Sequence, residues 1–161
     1  MLIRPLTRGD DLRSAGEIVR RAYFDLDGYP HHPDYDEIIA DVSSRVDDAL
    51  VLGAFLDDQL VGCLTYVGSV DNVHAKHDDP SAASFRYFGI DPEAQGSGVG
   101  EAMVRWVIER ARHDDKQRVI IHTLTMMNAA THLYERLGFV RLPDQDFCWD
   151  DVKSLAYVLT L

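Results

Sequence analysis

From Gly96 to Gly100 the chain reads Gly-Ser-Gly-Val-Gly, with Gln95 before it and no side chain larger than valine inside it. Bare backbone can approach a ligand closely, and amide N–H groups left unpaired at a helix start carry partial positive charge. A strand ending at Ile90, this turn and a helix opening near Gly100 together make an anion site, whose usual occupant is phosphate. Two phosphate loops are excluded. A Rossmann GxGxxG needs its third glycine where Glu101 stands, and a carboxylate there would face the pyrophosphate. A Walker loop needs a lysine after its last glycine, and none follows here.

The run FGIDPEAQGSGVGEAMV resembles the signature of the GCN5-related N-acetyltransferase (GNAT) family: Gln or Arg, two residues, Gly, one residue, Gly or Ala. Gln95, Gly98 and Gly100 match it. Downstream, NAATHLYERLGF is similar to the family's second signature at Ala130, Leu133, Tyr134, Leu137, Gly138 and Phe139. Two motifs in order, separated by a helix and a strand, carry far more weight than either alone.

The resemblance implies an α/β chain of the α+β mixed-sheet kind, with a central twisted sheet flanked by helices. It also implies acetyl-CoA as cosubstrate, an amine as acceptor, and direct attack in a ternary complex. Gln95, Gly96, Ser97, Gly98, Val99 and Gly100 would hold the pyrophosphate. Phe88, Gly89 and Ile90 would hydrogen-bond the pantetheine like an added strand. Gly89 by itself already suggests a bulge or a close backbone approach. The tyrosine matching Tyr134 often protonates the departing thiolate in this family, which makes Tyr134 a general acid; the alternative is a core aromatic on its helix. Some members carry a glutamate base where His122 stands, and a histidine with a pKa of about 6.5 could take the proton instead, unless it is a satisfied strand residue. Where the family often has a coenzyme-contacting asparagine this chain has Met127, and Asn128 either reaches the cofactor or caps its helix.

The acceptor side of the family is built from regions that are acidic here: Asp25, Asp27, Asp34 and Asp36; Asp71, Asp78 and Asp79; Asp144, Asp146, Asp150 and Asp151. They predict a cationic amine as partner, with Tyr29 as a contact, although such loops can also be plain solvated faces. The net charge of −11 argues against nucleic acid and anionic membranes. His31-His32 and His74-x-x-His77 lack nearby cysteine or an HExxH frame, so no metal is expected. Cys63 and Cys148 form no CxxC pair and are expected to be reduced and structural.

The elements that must position these groups follow from periodicity. A length of 161 residues, 46% of them hydrophobic, suits one domain over 1–161, and the absence of a long apolar run or leader pattern predicts a cytoplasmic protein. Residues 2–6 read as a strand, with Thr7 and Asp10 starting a helix through Leu12, Ala15, Ile18, Val19 and Ala22. Asp25 to Asp36 reads as loop and DEIIADVSSRVDDA as one second helix. A hairpin turns at Asp57-Asp58-Gln59, and a strand runs from Phe85 to Ile90. Then come a helix with Met103, Val104, Val107, Ile108 and Ala111 on one face, a strand from Val119 to Thr125, a helix ended by Gly138, and strands FVRL and SLAYVLTL. Sheet edges in this family commonly support homodimers. A module that binds acyl-CoA as a sensor without turnover is the rival reading.

Overall fold

The computed structural model describes residues 1–161. In chain order these form β1 (Leu2–Pro5), α1 (Leu12–Phe24), α2 (Pro33–Ala40), α3 (Val42–Asp48), β2 (Leu50–Leu56), β3 (Gln59–Val67) and β4 (Ala82–Ile90). There follow α4 (Val99–His113), β5 (Arg118–Leu124), α5 (Asn128–Arg136), β6 (Val140–Arg141), β7 (Phe147–Trp149) and β8 (Val152–Thr160). One mixed sheet runs β1-β2-β3-β4-β5-β8-β6, with β7 also paired to β8. Its only parallel pair is β4 with β5.

Alternating side chains send two apolar sets to opposite faces of this sheet. On one face α4 buries Met103, Val104, Val107 and Ala111 against Leu64, Phe85 and Ile121, and α5 adds Leu133 and Tyr134. On the other, α1 and α3 bury Ala15, Val19 and Val42 against Val51, Cys63 and Tyr87. Gly16 and Gly89 permit the close contacts of α1. A Cβ at Gly16 would lie 2.0 Å from the Ala40 carbonyl oxygen, and one at Gly89 would lie 2.7 Å from the Val19 Cα. No helix is long and apolar enough to cross a membrane.

The structure departs from the periodicity reading in four places. Asp11, not Thr7 or Asp10, caps α1 by accepting from the Ser14 N–H at 3.0 Å; Asp10 is instead tied to Arg4 and to the Thr7 N–H. The expected single helix DEIIADVSSRVDDA is two, and the first begins at Pro33 inside the expected loop. Asp41 breaks it by accepting from the Ser44 N–H, so the chain turns, and Arg45 donates to the Ile38 and Ile39 carbonyls at the end of α2. Strand β4 starts three residues early, at Ala82, because its first two residues pair with β5. Pro143 cuts FVRL to two residues, and the Asp150-Asp151 turn, with Asp150 at φ 49°, folds β7 onto β8.

Two irregularities in β4 position the site. Parallel pairing with β5 stops after Ala82↔Arg118 and Ala83↔Val119, so the strands part and the later residues of β4 have no partner on that side. On the other side the register runs Thr65↔Arg86 and then Cys63↔Gly89, which places Tyr87 and Phe88 opposite Leu64. This is a bulge, and Tyr87 takes the left-handed conformation at φ 52° to make it. The bulge thus lies two residues before Gly89, whose own role is the close approach of α1.

Candidate active site

Beyond β4, a short turn at Pro92–Ala94 leads into Gln95–Gly98, and Gly98 at φ 83° is the N-cap of α4. Gly96 is also left-handed, at φ 79°. Only glycine takes these angles without strain, which is why the turn needs glycine at both places. The buried side chain of Val99 anchors the helix start to the core. The amides of Gln95 and Ser97 are used inside the turn, donating to Pro92 and Ala94, and the Ser97 hydroxyl also donates to Ala94. The amides of Gly96, Gly98, Val99, Gly100 and Glu101 donate to no protein group. These unpaired N–H groups at the positive end of a fifteen-residue helix suit a phosphate. Gly100 has ordinary helical backbone, and a Cβ there would come no nearer than 3.6 Å to Leu133 or Phe88. Protein packing therefore does not demand its glycine.

Where β4 and β5 part, a cavity of ≈ 200 Å³ opens on the face away from α4 and α5. His122 of β5 lines it, half-buried beside Phe147. Its Nε2 lies 3.0 Å from the Gln145 carbonyl oxygen. A carbonyl only accepts, so Nε2 carries the hydrogen and the neutral ring keeps a lone pair on Nδ1. Burial lowers the pKa of His122 below the ordinary imidazole value, against the opposite pull of that hydrogen bond.

Tyr134 lies on the other side of the sheet, buried on the inner face of α5, with its ring 5.8 Å from Phe85 and from Phe139. Burial raises its pKa, so the hydroxyl stays protonated, and that hydroxyl has no hydrogen-bond partner in the protein. Phe85 touches both Tyr134 and the cavity. Asn128 is the exposed first residue of α5 and makes no capping hydrogen bond; Met127 occupies the N-cap. The capping alternative is therefore not realised. Tyr29 is 6% exposed, its hydroxyl donates to Asp36 at 2.9 Å, and its ring packs edge-on against Tyr23. It does not line the cavity; Tyr23 does.

The three acidic regions border the cavity through Tyr35, Lys76, His77, Phe147 and Trp149, but none of their carboxylates lines it. Asp146 is held by Arg141 and Lys153, Asp79 by Arg118 and Ser81, and Asp36 by Tyr29. His32 pairs with Asp150 rather than with His31. No cluster of three or more His, Cys, Asp or Glu side chains is gathered for a metal. Cys63 is a buried free thiol whose pKa burial pushes up to about 12, and Cys148 is an exposed free thiol.

The sequence model described as the acetyltransferase (GNAT) family matches residues 13–139, which takes in the glycine turn, His122 and Tyr134. The chain belongs to the GNAT family. It is 30% identical over 155 residues to a mycothiol acetyltransferase of Pseudarthrobacter chlorophenolicus, covering 94% of this chain and 46% of that protein. It is 32% identical over 86 residues to human N-acetyltransferase 8, covering 50% of this chain and 38% of that protein. The chain spans less than half the length of these curated relatives. Among solved structures, the GNAT fold recurs in yncA of Salmonella typhimurium with its cofactor acetyl-CoA, at TM-score 0.70 and 19% identity over 100% of this chain and 94% of that one. A ribosomal-protein-alanine N-acetyltransferase of Brucella melitensis gives TM-score 0.71 at 19% identity, with both chains fully covered.

Within this GNAT domain the sequence points to Tyr23 as aromatic surface that could sandwich a ligand or merely pack its loop, but it does not single out Arg86 or Tyr35; all three line the cavity. Arg86 did carry a signal: it is the one charged residue in the strand AASFRYFGI. Tyr35 is indistinguishable by sequence from a core aromatic.

Proposed function

We propose that this chain moves an acetyl group from acetyl-CoA to a primary amine by direct attack in a ternary complex. The observation that carries this reading is the parting of β4 and β5 between five unpaired amides and a cavity lined by His122. Gly96, Gly98, Val99 and Gly100 hold the pyrophosphate, with Gln95 and Ser97 shaping the turn. Phe88, Gly89 and Ile90 offer the free edge of β4 to the pantetheine as an added strand would take it. Asn128, with its side chain uncommitted, reaches the same ligand from α5.

The bound cosubstrate supplies an activated thioester. The chain's own residues handle the protons. An amine attacks only when neutral, and Nδ1 of His122 accepts the proton it must lose. The Tyr134 hydroxyl, held protonated by burial, donates to the departing sulfur. Tyr29 acts by holding Tyr23 against the cavity. The names of the curated relatives, mycothiol acetyltransferase and N-acetyltransferase 8, support acetyl transfer as the reaction class.

Free thiol release from acetyl-CoA, followed across a panel of primary amines, tests the reading. Acceptor-dependent release is expected. Tight acetyl-CoA binding with no release for any amine class would instead make the chain a binding module.

A further inference from the structure

The cavity beside His122 is lined by Arg86 and Lys76 and by no Asp or Glu. Neither cation forms an ion pair with a carboxylate; Arg86 is half-buried and Lys76 is exposed at the rim. Arg86 donates to the His74 carbonyl at 3.3 Å, lies over the Tyr87 ring at 4.5 Å and stands beside the Tyr35 hydroxyl, so its remaining N–H groups are open to a ligand in the cavity. Ser84, 5% exposed, lines the same space with a buried hydroxyl that has no partner. His77 lines it with both ring nitrogens unpaired. Burial keeps the phenols of Tyr23 and Tyr35 protonated, and both line the cavity.

Buried polar groups without partners, as at Ser84 and His77, are costly and rare in folded proteins unless a ligand meets them. Carboxylate oxygens accept several such bonds at once and neutralise a guanidinium in a matched two-point geometry. A second ammonium group, as in a polyamine, would face Arg86 and Lys76 with no carboxylate in the cavity wall to pair with it. Burial, and after it the positive field of Arg86, disfavours protonation of Lys76, His74 and His122. Phe147, Trp149 and Leu124 supply apolar wall on the same cavity. A volume of ≈ 200 Å³ is below the ~300–1,000 Å³ of most small-molecule sites, which suits a small occupant.

We propose that the acceptor is a small amino acid with an apolar or aromatic side chain: its carboxylate is held by Arg86 and Ser84, and its amine is presented to His122. The inference rests on the acetyl-transfer reading and replaces the cationic acceptor expected from the acidic loops. It makes Arg86 a specificity-determining residue.

The test compares phenylalanine, methionine and leucine with their C-terminal amides, with phenethylamine and with spermidine as acceptors. Thiol release should favour the free acids over the amides by about 10- to 100-fold in kcat/KM, the expected effect of losing charge-assisted hydrogen bonds. In Arg86→Gln that ratio should fall to about one, and Arg86→Lys should restore part of it. Calorimetric titration of phenylalanine against phenylalanine amide, with CoA present, should give the same order without turnover. The dissociation constant of CoA in Arg86→Gln reports that the variant is folded. Equal or better use of amides or spermidine, with an unchanged ratio in Arg86→Gln, overturns the carboxylate assignment and leaves acetyl transfer standing. No acceptor-dependent release from any amine overturns acetyl transfer, and the amino-acid acceptor falls with it.

Discussion

The guanidinium of Arg45 lies 4.3 Å over the ring of Tyr87. Arg45 is only 2% exposed, has no carboxylate partner, and uses its N–H groups on the Ile38 and Ile39 carbonyls at the end of α2. One side chain therefore ties the break between α2 and α3 to the left-handed residue that bulges β4. Replacing Arg45 with Met keeps the apolar stem but leaves the Ile39 carbonyl without its donor and the Ile38 carbonyl with only the Asp41 N–H, and should cost roughly 1–3 kcal/mol in urea unfolding. It should also weaken acetyl-CoA binding by relaxing the bulge. Lower stability with unchanged cofactor affinity would mean that the bulge stands without Arg45.

Two glycines of the turn should answer differently to alanine. Gly98→Ala forces a Cβ onto φ 83° and should destabilise the fold by about 1–2 kcal/mol as well as weakening acetyl-CoA binding. Gly100→Ala meets no atom closer than 3.6 Å and sits in regular helix, so stability should hold or rise by up to about 1 kcal/mol. Its acetyl-CoA dissociation constant should nevertheless increase at least about tenfold, a modest loss of charge-assisted contact. Thermal melts and titration of both variants check this, and unchanged affinity in Gly100→Ala would remove the close approach of ligand to that backbone.

That contrast shows what residue types alone reveal. The face of α4 and the glycine turn were readable, because each depends on spacing within one segment. The bulge was not: AASFRYFGI has no feature that marks Tyr87 rather than Gly89, since the irregularity lies in the register against β3, where Arg45 from a distant segment packs on Tyr87. The break at Asp41 was missed because helical periodicity runs across it, while a local side-chain bond to Ser44 decides it. The cavity lay furthest from view. Its wall joins Tyr23, Arg86, His122 and Trp149 from four distant segments, and the carboxylates prominent in the sequence do not line it, Asp79 and Asp146 being paired with Arg118 and Arg141.

The depressed pKa of His122 fixes the direction of a pH profile. The acid limb of kcat/KM should have its midpoint below about 6.5, because only the neutral ring accepts a proton. His122→Ala should lower the rate by about 10²–10⁴-fold and abolish that limb. An unchanged limb would exclude His122 as the base.

His74, His77 and His122 all have lowered pKa values, chiefly through burial. The unfolded chain then binds more protons than the folded one at mildly acid pH. Stability should be level above about pH 7 and fall as pH drops from about 6.5 through the lower folded values. Urea midpoints at about pH 8 and about pH 5 measure this, and a higher midpoint at the acid pH would contradict it.

Tyr134→Phe removes a hydroxyl that bonds to nothing in the protein, so folding and acetyl-CoA affinity should be retained. Turnover should fall by about 10²-fold or more if that hydroxyl supplies the proton to sulfur. Full turnover in this variant would return Tyr134 to a packing role.

The most direct measurement follows the acetyl group itself. Acetyl-CoA carrying carbon-13 in both acetyl carbons is incubated with the protein and the amine panel, and products are read by mass spectrometry. The account predicts an acetylated amine bearing both labelled carbons, formed in step with free thiol and suppressed in the His122→Ala, Tyr134→Phe double variant. Labelled acetate with no acetylated amine, or product formed equally by the double variant, would contradict it.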